Sequence, residues 1–151
     1  MIAHVWSILC SRAVIDNETN NISIQNVLER LAIAGEPKED AAVPISFMVA
    51  SLWTRGSYQV PEHGKARVTC MSPSGETLLS AQLEIDLSKH TLHRTRFGFS
   101  GLPVPEGGIY VFRVAVKGDD EDSWRGVAEV PLEVVFEPSE QPIPRQVASD
   151  G

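Results

Sequence analysis

The chain has 151 residues, of which 42% are apolar and 22% are charged, and its 13 basic and 20 acidic side chains give a formal charge of −7. This length is typical of one domain, and the apolar fraction excludes a wholly disordered chain because it is sufficient to build a core. The acidic balance argues against nucleic acid or an anionic membrane as a partner, so we expect neither.

The N-terminal segment is apolar but lacks the features of a secretory signal. Its first basic residue, Arg12, follows the apolar run, and the stretch from Val5 to Cys10 is shorter than the roughly 7–15 residues of a signal core. No run approaches the ~20 apolar residues of a membrane span. Cys10 and Cys70 lie in apolar stretches without a Cys-x-x-Cys pair, which favours buried thiols over a disulfide or a zinc site. We expect a cytoplasmic protein without a cofactor.

Alternation of apolar and polar residues, interrupted by turn residues, predicts β-strands along most of the chain. Apolar side chains on both sides of Pro44–Thr54 predict a central strand. The segment Ile22–Ile33 is ambiguous between helix and strand, and we favour a strand with a bulge near Asn26. The predicted strands are His4–Ser11, Ile22–Ile33, Pro44–Thr54, Lys65–Met71, Thr77–Leu87, Leu92–Ser100, Ile109–Lys117 and Ser123–Phe136.

Two hairpins are the clearest local features of the sequence. The turn Ser72–Gly75 joins one pair of strands, with proline and glycine at positions that suit a tight turn, and the acidic loop Gly118–Asp122 joins the other. Within the last strand, Pro131 cannot donate a backbone hydrogen bond, which predicts a sheet edge at that point.

About eight strands with short connections and no long helix predict an all-β fold. We expect a single-domain antiparallel β-sandwich over residues 1–137, immunoglobulin-like or C2-like, with an open barrel as the alternative. Residues 138–151 are polar, contain prolines and lack periodicity, so we expect a tail outside the core.

Several motifs are shared with a known group of proteins. The segments Leu9–Ala13, Ile22–Ile24 and Gly107–Val114, together with Asp16, carry the similarity. Over about residues 5–136, the chain resembles a group of short uncharacterised bacterial β-sandwich domains of unknown function. The resemblance implies the fold, and it implies no catalytic residues.

One end of the predicted sandwich is acidic. If all consecutive strands are antiparallel, the loops 16–21, 55–64, 86–91 and 118–122 form one rim. Calcium or zinc would find oxygen and nitrogen ligands there, but the loops lack the Asp-x-Asp-x-Asp pattern of a calcium loop, so a solvated rim is favoured. A metal-dependent module or hydrolase is the alternative. The candidate ligands are Asp16, Asp86, Asp119, Asp120, Asp122, His63 and His90.

Three side chains are candidates for an interface. Arg94 and Arg96 share one face of a predicted strand, which is most simply a solvated outer face. That face is alternatively positioned to meet the acidic rim of a second copy. Trp124 directly follows the acidic loop, where an exposed tryptophan is a common anchor for a partner protein.

Nucleophilic catalysis has no support in the sequence. Ser7, Ser46 and Ser51 lie within predicted strands, and neither a Gly-x-Ser-x-Gly elbow nor a phosphate-binding loop is present. We therefore expect a non-catalytic binding or structural module that acts through protein–protein contacts, with a partner protein or with another copy of itself.

Overall fold

The computed structural model describes residues 1–138 and forms nine strands in two sheets, one of them curled into a half-barrel. Sheet A has the order β2-β1-β4-β7, and sheet B has the order β3-β9-β8-β5-β6. Residues 139–151 of the predicted tail lie outside the described part of the chain. The strands are β1 (Ala3–Ile15), β2 (Ile22–Val27), β3 (Arg30–Ala34), β4 (Ala42–Thr54), β5 (Glu62–Met71), β6 (Thr77–Leu87), β7 (Leu92–Pro103), β8 (Gly108–Gly118) and β9 (Arg125–Glu137).

The main core lies between the sheets, where alternate residues of each strand point inward. From sheet A, Phe47 and Trp53 on β4 are buried, and from sheet B, Phe112 and Leu132 meet them. The predicted central strand is confirmed, because β4 lies between β1 and β7 and its Ala50 packs on the opposite face, in a second buried cluster. Both predicted hairpins, β5–β6 and β8–β9, are also present.

The prediction of one strand over Ile22–Ile33 was wrong. The segment forms β2 in sheet A and β3 in sheet B, and the chain crosses between the sheets at residues 28–29. Asn26, where a bulge was predicted, has a positive φ of 57°. Asparagine tolerates this left-handed conformation, and Asn26 adopts it next to the last residue of β2, just before the chain crosses to sheet B.

The sandwich is not purely antiparallel, and this corrects the predicted immunoglobulin-like or C2-like arrangement. Strand β3 pairs in parallel with the end of β9, with Arg30 opposite Glu133 and Ala34 opposite Glu137. Strand β3 arrives from sheet A through the crossing and runs in the same direction as β9. Pro131 lies before the start of this pairing and pairs only with Val111 of β8, so β9 is a sheet edge at that point, as predicted.

The hairpin of β1 and β2 curls over the outer face of sheet A. The second cluster fills the space beneath it, with Cys10, Ala13 and Ala50 buried. Strand β1 pairs with β4 from Ala3 to Cys10 and with β2 from Cys10 to Ile15, so its two halves have different partners in sheet A.

Both cysteines are free and buried, as predicted. Cys70 belongs to the main core and Cys10 to the second cluster, on the other side of sheet A. Within residues 1–138, no helix has the length and apolarity needed to cross a membrane.

Candidate functional site

A groove of about 620 Å³ lies on the outer face of sheet B, around Trp124. Its floor includes the small residues Ala115 and Gly126, at a point where the β8–β9 pairing shifts register. Such an irregularity twists the strands locally, and small side chains there leave a depression in the sheet. The taller lining residues are Arg67, Thr69, Met71, Thr77, Arg113, Trp124 and Glu129.

Trp124 is held at the groove by a cation–π contact. The guanidinium carbon of Arg67 lies 4.3 Å from the centroid of the Trp124 ring. On the same surface, Arg113 Nε lies 3.3 Å from Glu129 Oε2, with both side chains more than half exposed. The groove therefore combines an aromatic surface with charged groups of both signs.

Basic side chains form a stripe along two neighbouring interior strands of this face, β5 and β8. Lys65 of β5 is directly opposite Lys117 of β8, and Arg67 and Arg113 follow along the same strands. We call Lys65, Arg67, Arg113 and Lys117 the basic stripe. Within residues 1–138, no carboxylate forms an ion pair with Lys65, Arg67 or Lys117. Arg113 is paired with Glu129, and Lys65 has Glu84 of β6 opposite it on its other side, so the stripe keeps an excess of positive charge on a protein whose net charge is −7.

Three of the four loops predicted for the acidic rim meet at one end of the molecule. Asp119 N donates to His63 O, and the Arg55 side chain donates to Leu87 O and Ser88 O. The fourth loop, residues 16–21, joins β1 to β2 and lies over sheet A, where Asn20 O accepts a hydrogen bond from Arg94. The predicted rim counted Ile22–Ile33 as one strand, and its division into β2 and β3 changes which loops share an end of the molecule.

The candidate metal ligands are mostly engaged in local hydrogen bonds. His63 Nδ1 lies 2.8 Å from Asp119 Oδ2, while His63 Nε2 lies 3.9 Å from a Glu84 oxygen. Asp86 accepts hydrogen bonds from the Ser88 hydroxyl and amide, which lower its pKa. Asp16 accepts two backbone amides of its own turn, and its pKa is also lowered.

No group of three or more histidine, cysteine or acidic side chains within the described chain is arranged to hold a metal ion. The remaining candidates, Asp120, Asp122 and His90, lie in the same loops as the others. Within residues 1–138 they belong to no such group either. The metal site stays a prediction, with no ligand geometry behind it.

The two arginines predicted for an interface face the curled hairpin. Arg94 donates to Asn20 O, and Arg96 Nη1 lies 3.4 Å from Ala13 O. Their guanidinium groups therefore help to close the hairpin over sheet A. Of the three interface candidates, Trp124 is the one that lines the groove on sheet B.

Two features escaped the sequence analysis. The basic stripe was visible as alternate basic residues in two separate strands, but only the β5–β8 register places them side by side. A second feature is a hydrogen bond of 2.7 Å between His4 Nε2 and Ser7 Oγ. In a regular strand, residues three apart point to opposite faces, so no periodic pattern predicts this contact.

Comparison with known proteins gives only distant likenesses. No family model matches the chain, and the curated proteins contain no match. Among solved structures, it is similar to part of a family 123 glycoside hydrolase from Clostridium perfringens, with 7% identity and a TM-score of 0.47 over 91% of this chain and 28% of that one. It is also similar to the N-terminal domain of PorA, with 11% identity and a TM-score of 0.32 over 87% of this chain and 98% of that one. These findings assign no family.

Proposed function

We propose that this protein is a binding module that holds an acidic, extended segment of a partner protein on the outer face of sheet B. The observation that carries the proposal is the basic stripe beside the Trp124 groove. Tryptophan and arginine are the residues most enriched among the strongest contributors to protein interfaces. Tryptophan and arginine side chains both line this groove, and its depression has room for a side chain of the partner.

The charges favour an anionic partner. Like charges directly opposite each other on a sheet are destabilising, and Lys65 is opposite Lys117. A carboxylate placed between these two ammonium groups would relieve that repulsion. The overall charge of −7 disfavours a nucleic acid, because the field of the whole protein repels a long polyanion. A short acidic segment of a protein carries fewer charges than a long polyanion, so the field of the whole protein repels it less.

A cytoplasmic location, as the sequence predicts, is part of this proposal. A partner protein in the same compartment is then the expected source of the acidic segment.

A peptide titration tests the proposal. A fluorescent oligoglutamate peptide is titrated with the full chain at low and moderate salt, and an oligoglutamine peptide of equal length is the control. We expect binding of the acidic peptide only, weakening as salt screens the charges. The double variant Lys65→Gln/Lys117→Gln is expected to bind at least ~10-fold more weakly, a loss of about 1.4 kcal/mol. Lys38→Gln, outside all strands, is the matched control and retains binding.

Three results would overturn the proposal. Equal binding of both peptides would show that charge is not recognised. Tighter binding of single-stranded DNA than of oligoglutamate would indicate a nucleic-acid surface. Salt-sensitive self-association, lost when Asp119, Asp120 and Asp122 are changed to Asn, would identify a second copy as the occupant.

A further inference from the structure

A chain of polar side chains lies at the seam where β1 of sheet A faces β9 of sheet B. His4 Nε2 is 2.7 Å from Ser7 Oγ, and Ser7 Oγ is 2.6 Å from Ser51 Oγ. Ser51 is fully buried, while Ser7 is half-buried. A serine hydroxyl within hydrogen-bond distance of an imidazole is the arrangement that activates serine as a nucleophile.

An irregularity in β1 creates this contact. The β1–β4 pairing shifts register between His4 and Trp6, so that Val5 is an extra residue and is 49% exposed. The extra residue turns His4 onto the same face as Ser7, and its ring packs edge-on against Trp53 at a centroid distance of 5.2 Å. Bulges of this kind are concentrated near active sites, where they re-aim a side chain.

The surroundings of His4 favour its neutral form. Burial lowers the pKa of His4, and this effect exceeds the opposing one of its hydrogen bond to the backbone of Trp6. His4 Nε2 lies 2.7 Å from Ser7 Oγ, and in the neutral tautomer that carries its proton on Nδ1 it accepts the hydrogen of the Ser7 hydroxyl. The histidine is therefore set up as a base for Ser7.

Ser7 is open to an apolar groove of about 520 Å³ along the seam. Its walls include Leu9, Val27, Ile109 and Pro131, and both Val27 and Ile109 are about half exposed. Leu9 O accepts a hydrogen bond from Leu28 N across the seam. Because alternate residues of a strand direct their backbone groups to the same edge, the amide of Ser7 also points towards this opening.

We propose that Ser7 is a nucleophile that accepts an acyl group from an ester whose acyl chain lies in the seam groove. The Ser7 oxygen forms a bond to the carbonyl carbon, and the bond from that carbon to the leaving oxygen breaks. His4 Nε2 takes the Ser7 proton and passes it to the leaving oxygen, which departs as an alcohol. Water then releases the acid by the same route, with His4 first accepting a proton from water and then returning it to Ser7.

Acylation by p-nitrophenyl butyrate tests this proposal, which is independent of the sheet B surface. We expect one butyryl group per chain, located on Ser7 by peptide mass spectrometry, and a matching burst of p-nitrophenolate. Ser7→Ala is expected to abolish the burst, and His4→Gln to slow it ~100-fold or more, as expected for loss of a general base. Ser80→Ala and His90→Gln, at exposed positions outside the groove, are the matched controls and keep the wild-type rate.

If Ser7→Ala fails to fold, a second variant still tests the role of Ser7. Ser7→Cys preserves a nucleophile of similar size and is expected to carry the butyryl group at position 7. The proposal is overturned if the folded wild-type chain reacts no faster than a heat-unfolded sample, or if its acyl group is found on another residue. An unchanged burst in His4→Gln would show that His4 is not the base for Ser7 and would also overturn the proposal.

Discussion

The Arg67 guanidinium reaches across β8 to stack on Trp124, with its central carbon 4.3 Å from the ring centroid. Arg67 lies on β5 and Trp124 directly precedes β9, so the contact links strands that are not neighbours in sheet B. Between them, Ala115 points to the outer face and is nevertheless only 9% exposed. The arginine–tryptophan pair thus covers Ala115 on the outer face of sheet B and forms one wall of the groove.

This pair is expected to contribute measurably to stability. A double-mutant cycle with Arg67→Ala and Trp124→Ala should give a coupling of about 0.5–1 kcal/mol in denaturant unfolding. The comparison cycle uses Arg113→Ala and Glu129→Ala, an exposed ion pair on the same face, for which we expect at most about 0.5 kcal/mol. A larger coupling in the ion pair than in the stacked pair would contradict the role given to Trp124.

Replacement of Gly64 by alanine is expected to be strongly destabilising. An added Cβ would lie 2.5 Å from Lys117 O and 2.9 Å from Gly118 Cα, and neither backbone atom can move without distorting the β5–β8 pairing. Overpacking of this kind costs about 1–3 kcal/mol. Gly98→Ala is the matched control, since nothing lies within 4 Å of its added Cβ. Thermal unfolding of both variants measures the difference, and equal melting temperatures would refute the close approach of the two strands.

The pH dependence of stability should include a contribution from Glu106. Its carboxylate accepts hydrogen bonds from the Ser74 hydroxyl at 2.6 Å and the Ser74 amide at 3.1 Å, and the hydroxyl is the main cause of its lowered pKa. A carboxyl group whose pKa is lower in the folded state stabilises the protein above its unfolded pKa, here 4.5, and loses this effect as the pH falls through the folded value.

Thermal unfolding of Glu106→Gln over a range of pH checks this assignment. The wild type should be the more stable protein at neutral pH, and the difference should shrink below pH 4.5. Glu39→Gln, at an exposed position between β3 and β4, is expected to show no such convergence. A constant difference between wild type and Glu106→Gln at all pH values would exclude the ionised hydrogen-bonded carboxylate.

Cys70 should be inert towards thiol reagents in the folded protein. Its side chain is fully buried, and burial raises its pKa to about 12, so the reactive thiolate is scarce at neutral pH. We expect no reaction with a disulfide reagent such as Ellman's reagent at pH 8 until denaturant is added, when both cysteines react. A Ser80→Cys variant provides an exposed thiol that should react at once. Fast reaction of the native wild type would show that the core opens there.

The sequence predicts the paired elements of this fold better than their assembly. The strands of the β5–β6 and β8–β9 hairpins are adjacent in the chain, so a turn signal such as Ser72–Gly75 is enough to join them. The division of Ile22–Ile33 was missed because alternation is the same in one strand as in two. The sequence of β3 also contains no local signal, such as a turn, that identifies a distant parallel partner such as β9.

The candidate sites show the same limit. Trp124 was identified because it follows the acidic loop, which is a local feature. The opposition of Lys65 and Lys117 depends on register, and the contact between His4 and Ser7 depends on one extra residue in β1. Neither register nor a bulge can be deduced from alternation alone, since both are decided by which strand lies alongside.

The parallel pair of β3 and β9 also bears on how the chain reaches its native state. Its partners, such as Ala34 and Glu137, are separated by about one hundred residues, and closing so long a loop has a high entropic cost before any contact compensates for it. During synthesis, β3 leaves the ribosome well before β9, so it has no parallel strand to pair with until β9 is made. We expect this strand pairing to form late, and an unpaired β3 to be a site of aggregation until it does.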